Sequence, residues 1–296
     1  MKRISFYQQI KKNKRSSVIL ILSTLIILFG LITIIALAVS EEYFFTVIIF
    51  GTIFSIVYIL ISLFESSQII LKSVNAIEAT PEEYKEYHNL VEGMCLASGM
   101  PKPKLYVMKD NQINAFATGN KPEESIVCVT TGALKKLNKQ ELEGVIAHEM
   151  SHIANYDIRF MSLVAVIVGL ISIISQIFLR SSWRSSSKNS DNGNAQIIFF
   201  LLAIVLAILS PLLVTIVQLS ISRKREYMAD ASAVKFVRSP TGLIHALEKI
   251  KSDTSEDKIS VPDAVAPLFL TKPTKTHELF QTHPPIEKRI EILKRM

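Results

Sequence analysis

The sequence predicts an α+β integral membrane protein, with four transmembrane helices attached to a mostly helical, water-exposed domain that carries a small β-sheet. Three observations carry this reading. Four long apolar stretches, 17–39, 43–64, 160–180 and 196–219, each come near the 20 or so residues that a helix needs to cross a hydrocarbon core. Outside them remain roughly 200 residues, enough for a domain with its own core. Those residues mix helical apolar spacing with short β-branched runs.

The composition sets the outer limits. Of 296 residues, 49% are apolar and 20% charged, and the mean hydropathy is +0.33. That excess of apolar residues, gathered into four runs, excludes a wholly soluble protein, and the long polar segments exclude a carrier with little outside the bilayer. The net charge of +7 does not point to nucleic acid, because the basic residues crowd the membrane boundaries. Lys2, Arg3, Lys11, Lys12, Lys14 and Arg15 precede the first run, and Arg223, Lys224 and Arg225 follow the fourth. Such positions set topology and meet anionic headgroups. Cys95 and Cys128 form neither a disulfide framework nor a metal knuckle.

Taken in order, the basic segment 1–16 stays cytoplasmic by the positive-inside rule. The first span (17–39) leaves, a short link carries Glu41 and Glu42 without a basic residue, and the second span (43–64) returns. Lys and Arg, an apolar stretch and Ala36-Leu37-Ala38 also resemble a cleavable signal, but the stretch exceeds the usual 7–15 residues and a second span follows at once. Segment 65–159 is therefore cytoplasmic. Its apolar positions predict a helix over 74–99, which Pro101 and Pro103 end. Strands follow at Lys104–Met108, Ala115–Thr118 and Ser125–Thr130, then helices at Gly132–Leu137 and Lys139–Asn155. The third span (160–180) leads to a Ser- and Asn-rich external loop (181–195), and the fourth (196–219) returns the chain. Segment 220–296 is again cytoplasmic, with helices at Ser222–Val237, Thr241–Lys251 and Pro285–Lys294 and a long polar loop over 252–276.

Within the helix at 139–155 stands His148-Glu149-Met150-Ser151-His152. Residues four apart share a helix face, so both imidazoles can grip one ion while Glu149 acts on a water beside it. Composition alone gives such a pattern with odds on the order of 1%. A catalytic zinc takes three protein ligands. Glu226, just past the fourth span, is a candidate for the third, with Asp230 one turn on and able to accept a ligand histidine's free N–H. Among Arg223, Lys224 and Arg225, however, Glu226 equally fits a surface ion pair, and spacing alone leaves the two readings open.

The run His148 to Asp157, a membrane hairpin, and then Glu226-Tyr227-Met228-Ala229-Asp230 together resemble the HtpX-type membrane-bound zinc metalloproteases, an HExxH gluzincin-like family. The resemblance covers essentially the whole chain. It takes in Asn114-Ala115-Phe116-Ala117 before the His helix, and Thr282-His283-Pro284-Pro285 with Arg289 near the end. It implies a zincin-type cytoplasmic domain holding one Zn²⁺ through His148, His152 and Glu226, with Glu149 as catalytic base. By the same resemblance Asn114–Ala117 is an edge strand on which an extended substrate pairs, the alternative being an inner strand. His283 is an oxyanion donor or else a turn histidine fixing the last helix, and Arg289 is a structural ion-pair partner. Asn155 and Asp157 cap or orient the His helix, and His88, His245 and His277 are surface or core residues.

The implied function is a zinc-dependent endopeptidase of a bacterial plasma (inner) membrane, multi-pass and with its site facing the cytoplasm. Its substrates would be polypeptides, misfolded or damaged membrane proteins cut at cytoplasmic regions under stress. The alternatives are a zinc-stabilised scaffold or chaperone without proteolysis, and a prenyl-protein-type endopeptidase, whose members carry more spans. An intramembrane protease is disfavoured, because Lys135, Lys136, Asn138, Lys139 and Gln140 place the motif outside the bilayer.

Overall fold

The computed structural model describes residues 41–166, 223–253, 261–262, 265–270 and 284–296, with scattered positions between 15 and 36. The predicted fourth span, the external loop, most of the third span and His283 lie outside the described residues. The described positions between 15 and 36 are helical. The next apolar stretch forms helix α1, Phe44–Ser73, long and apolar enough to cross a membrane. Its pattern is inverted relative to a soluble helix. Phe45, Phe50, Phe54 and Phe64 are exposed, whereas Ser55, Ser62 and Ser66 are buried. In lipid, small polar residues face protein neighbours and large apolar ones face outward.

α1 continues beyond the span predicted to end at 64, because Ile70 and Leu71 of its last turns are needed in the core. The helix predicted over 74–99 does not begin at 74. Asn75 adopts a positive φ of 51°, Ile77–Glu78 forms strand β1, and helix α2 spans only Lys85–Ser98. Pro81 rules out one helix running through 74–99, since proline removes an N–H and pushes the preceding residue towards extended backbone.

The predicted strands form as β2 (Lys104–Met108), β3 (Ala115–Thr118) and β4 (Ile126–Thr130), in the order β1-β2-β4-β3. β2 and β4 run parallel; β1 and β3 are antiparallel to their neighbours. All five β4 residues are buried, as expected of a strand covered on both faces. On one face Val107, Ala115, Ala117, Val127 and Val129 share a core with Val145, Ile146 and Met150. On the other, Met108, Phe116, Ile126 and Cys128 meet the end of α1 and Met161 and Ala165. The sheet is thus the middle of three layers, and it separates the His-bearing helix from the membrane-side elements. The Asn120 side-chain amide donates to the Leu63 carbonyl, and the Tyr58 hydroxyl donates to the Val166 carbonyl at 3.1 Å, tying these layers together.

After β4 come helices α3 (Thr131–Lys136) and α4 (Lys139–Ala154), a helical stretch at 157–166, then α5 (Arg223–Val237), α6 (Thr241–Ser252) and α7 (Ile286–Leu293). The segment expected to be a polar loop is different where described. Val261 and residues 265–270 are buried, with the Phe269 ring 4.8 Å from that of Phe116. The Leu270 N–H donates to the Ala115 carbonyl at 2.9 Å. β3 therefore lies at the sheet edge, as the resemblance implied, but part of that edge is already paired and all four of its residues are buried.

Candidate active site

α4 starts where the sequence supplies a complete cap. The Asn138 side chain accepts from the Glu141 N–H at 2.9 Å, and the Glu141 carboxylate accepts from the Asn138 N–H at 2.8 Å. This reciprocal pair satisfies two otherwise orphaned donors. Lys249 of α6 donates to the same Glu141 carboxylate at 2.6 Å. Burial opposes ionisation of Glu141, but the Lys249 and Asn138 bonds outweigh it and hold its pKa below the usual range. α4 then packs Leu142, Val145, Ile146, Met150 and Ile153 into the core and buries His148, Glu149 and His152 among them.

The two imidazoles converge, with the Nε2 atoms of His148 and His152 3.3 Å apart. α5 brings the Glu226 carboxylate to 3.6 Å from the first and 3.7 Å from the second. Zinc–ligand bonds of roughly 2.0–2.1 Å at tetrahedral angles place neighbouring ligands about 3.3–3.4 Å apart, so the three donors fit one ion with little movement. Glu226 is fully buried and faces both histidines, which removes the surface ion-pair reading.

Behind each imidazole stands a carboxylate. His148 Nδ1 donates to Asp230 at 3.0 Å, the residue one turn after Glu226, and His152 Nδ1 donates to Asp157 at 3.1 Å. These bonds fix the tautomer and leave both Nε2 lone pairs for an ion. Asp157 reaches back because Tyr156 takes a left-handed conformation, φ 57°, directly after α4, at a cost of about 1 kcal/mol. Asp230 in turn receives Arg289 of α7 through both carboxylate oxygens, Nε at 2.9 Å and Nη2 at 2.6 Å. Arg289 is only 1% exposed, and its Nη1 lies 3.8 Å from Glu226.

The charges are strongly coupled. Burial would raise the Asp230 pKa, but Arg289 and His148 hold it at about 2. Burial and the Arg289 charge oppose an imidazolium at His148, yet the bonds to Asp230 and Glu226 hold its pKa up at about 9. His152 is raised as well, its Asp157 and Glu226 neighbours outweighing burial. An ion at the two Nε2 atoms has to displace protons, which makes its uptake pH-dependent.

Of the residues singled out in the sequence, the structure brings together His148, His152, Glu226, Asp230, Asp157 and Arg289, and it buries Glu149 on the same helix. His88 sits apart, against the Ala79 carbonyl at 2.8 Å. Arg225, assigned from sequence only to the membrane boundary, is buried against Asp157 at 3.9 Å. Its place directly before Glu226 was the available signal.

The description "Peptidase family M48" matches residues 81–296, a range that contains every one of these side chains. The chain belongs to peptidase family M48. Among its relatives, the "Protease HtpX homolog" of Thermoanaerobacter pseudethanolicus is 43% identical over 306 residues, covering 99% of both chains. That of Caldanaerobacter subterraneus subsp. tengcongensis is 47% identical over 84% of each, and that of Streptococcus uberis 38% identical over 98% of this chain and 99% of its own. The crystal structure of S. mikatae Ste24p has a TM-score of 0.49 at 19% identity, covering 97% of this chain and 67% of that chain. The resemblance to HtpX-type proteases thus extends over the full sequence. This M48 member is a metalloprotease, and the His148, His152 and Glu226 cluster fits the metal site that such an enzyme requires.

Proposed function

We propose that the protein is a zinc endopeptidase of a bacterial plasma membrane. In this reading it crosses the bilayer four times, and its site faces the cytoplasm, where it cuts misfolded or damaged membrane proteins under stress. The observation that carries the chemistry is the convergence of His148, His152 and Glu226 within 4.8 Å of one another, with Glu149 buried between the two histidines in sequence. Support for the membrane comes from α1, a 30-residue apolar helix along which Phe45, Phe50, Phe54 and Phe64 face outward. The basic residues flanking the predicted spans support the orientation.

When bound, zinc supplies Lewis acidity, polarising a scissile carbonyl and acidifying a water. His148, His152 and Glu226 would hold the ion, and Asp230 and Asp157 orient the two imidazoles for it. Glu149 takes the proton of the attacking water and returns it to the leaving amine. His283 donates to the oxyanion. His148, Glu149, His152 and Glu226 are all buried, which keeps bulk water from them and strengthens every electrostatic interaction among them.

The test is a cleavage assay in detergent on casein with zinc added, comparing the wild type with Glu149→Gln. The wild type cuts; the variant folds and binds zinc but does not cut. Cutting by the variant refutes the role of Glu149. Zinc binding without cutting by the wild type moves the reading to a zinc-stabilised scaffold, which has no use for Glu149.

A further inference from the structure

Two ends of the chain meet beside His152. Asp157 and Phe160 begin the helical stretch that leads into the third apolar run, and Arg225 lies in the first turn of α5, after the fourth. Arg225 is 7% exposed. Its Nη1 lies 3.9 Å from one Asp157 oxygen, and its guanidinium lies over the Phe160 ring, 5.3 Å from the centroid. The other Asp157 oxygen accepts from His152 Nδ1 at 3.1 Å. Arg225 is also the residue directly before Glu226.

We propose that Asp157 and Arg225 are positioning residues, a clasp that sets His152 and Glu226 against each other around one metal ion. This rests on the reading of His148, His152 and Glu226 as the ligands. α4 supplies two of the donors on one rigid helix, and their spacing is fixed locally. The third donor comes from a helix 74 residues further along the chain (226 − 152), beyond both apolar runs. Its distance from His152 is not fixed by any local geometry. The Asp230–His148 bond holds it on one side, and the clasp holds it on the other, because Asp157 is hydrogen-bonded to His152 and Arg225 is peptide-bonded to Glu226.

Burial makes the contact selective. A guanidinium removed from water is tolerated only against an anion or an aromatic face, and here it has both. The arginine therefore returns to this place whenever the two ends meet, and Glu226 arrives with it. The clasp matches the Arg289–Asp230–His148 arrangement on the far side of the site, but its two charged members come from the two mouths of the predicted membrane hairpin. Metal affinity becomes a readout of the Asp157–Arg225 contact.

The experiment is a zinc competition titration against a chromophoric chelator, on the full-length protein in detergent. Arg225→Ala and Asp157→Asn each weaken zinc binding by about 10–100-fold, the range for partners of ligand residues. The double variant binds no more weakly than the worse single one, because both substitutions remove the same contact. Arg225→Lys, which keeps the charge, lies between the wild type and Arg225→Ala. Unchanged zinc affinity in folded Arg225→Ala overturns the clasp, and so do single effects that multiply in the double variant. Should the alanine variant not fold, Arg225→Lys is paired with Asp157→Asn and read the same way. A wild type that takes up no zinc overturns the ligand assignment, and the clasp with it.

Discussion

Replacing Arg289 by Met tests how much of the site depends on one buried cation. Methionine keeps most of the volume, so cavity formation does not confuse the result. What disappears is a pair of charge-assisted bonds to Asp230, at 2.9 and 2.6 Å, and the compensation of Glu226 at 3.8 Å. Bonds to charged groups contribute about 1.5–3 kcal/mol each, and breaking one side of a buried ion pair costs about 3–5 kcal/mol. The two routes agree on a loss near 4 kcal/mol, on the order of a thousandfold in the folding equilibrium. Much of this is the penalty of leaving the Asp230 carboxylate buried without its partner. Adding Asp230→Asn removes that charge while keeping an oxygen for His148 Nδ1, and it restores most of the stability. The assay is denaturant unfolding of metal-free protein in detergent, since bound ion would add its own stabilisation. An Arg289→Met protein as stable as the wild type refutes the reasoning, and so does a double variant less stable than Arg289→Met alone.

Other outcomes follow from the same geometry. His152→Ala loses zinc in metal analysis of the purified protein, and stoichiometric zinc in that variant would place the ion elsewhere. Gly144→Ala destabilises the protein by about 1–3 kcal/mol in the same unfolding assay, because the new Cβ meets the Leu243 backbone nitrogen of α6 at 2.5 Å; a stability equal to the wild type contradicts the close helix approach. Lys249→Met costs about 1 kcal/mol or less at pH 7, the lysine being partly exposed and screened. Glu141 has a depressed pKa in the folded state, so its contribution is present above its unfolded value near 4.3 and is lost as pH falls through the folded value. The gap between Lys249→Met and the wild type therefore narrows below about pH 4, and a gap that widens there rules out the pair.

Much of the fold was readable because local signals were strong. β2 and β3 lie at the residues their β-branched and apolar pattern predicts, and α4 ends within a residue of its expected limits. Asn138 and Glu141 mark its start, and a His-Glu-x-x-His spacing needs only one helix to become a metal-binding face. What escaped was long-range or diluted. The segment 252–276 reads as polar on average, yet Val265, Ala266, Pro267, Leu268, Phe269 and Leu270 are a compact apolar run, and they pack under the sheet. Pro81 was outweighed by apolar spacing on either side, and the strand at Ile77–Glu78 was hidden by it. Arg225 read as a topology charge because three basic residues in a row at a membrane boundary suffice for that role. Only tertiary contact separates the one that turns inward. The meeting of Gly144 with Gly242 and Leu243 has no counterpart in either local sequence.

The position of Arg289 in the chain sets an order of events. His148 and His152 are synthesised first and Glu226 and Asp230 later. The guanidinium that neutralises them arrives last, on α7. Until that helix docks, Glu149, Glu226 and Asp230 share a pocket without the cation that faces all three of them once folding is complete. The buried charge cluster of the cutting centre is therefore complete only once α7 is in place, after every other member of that cluster has already entered the chain.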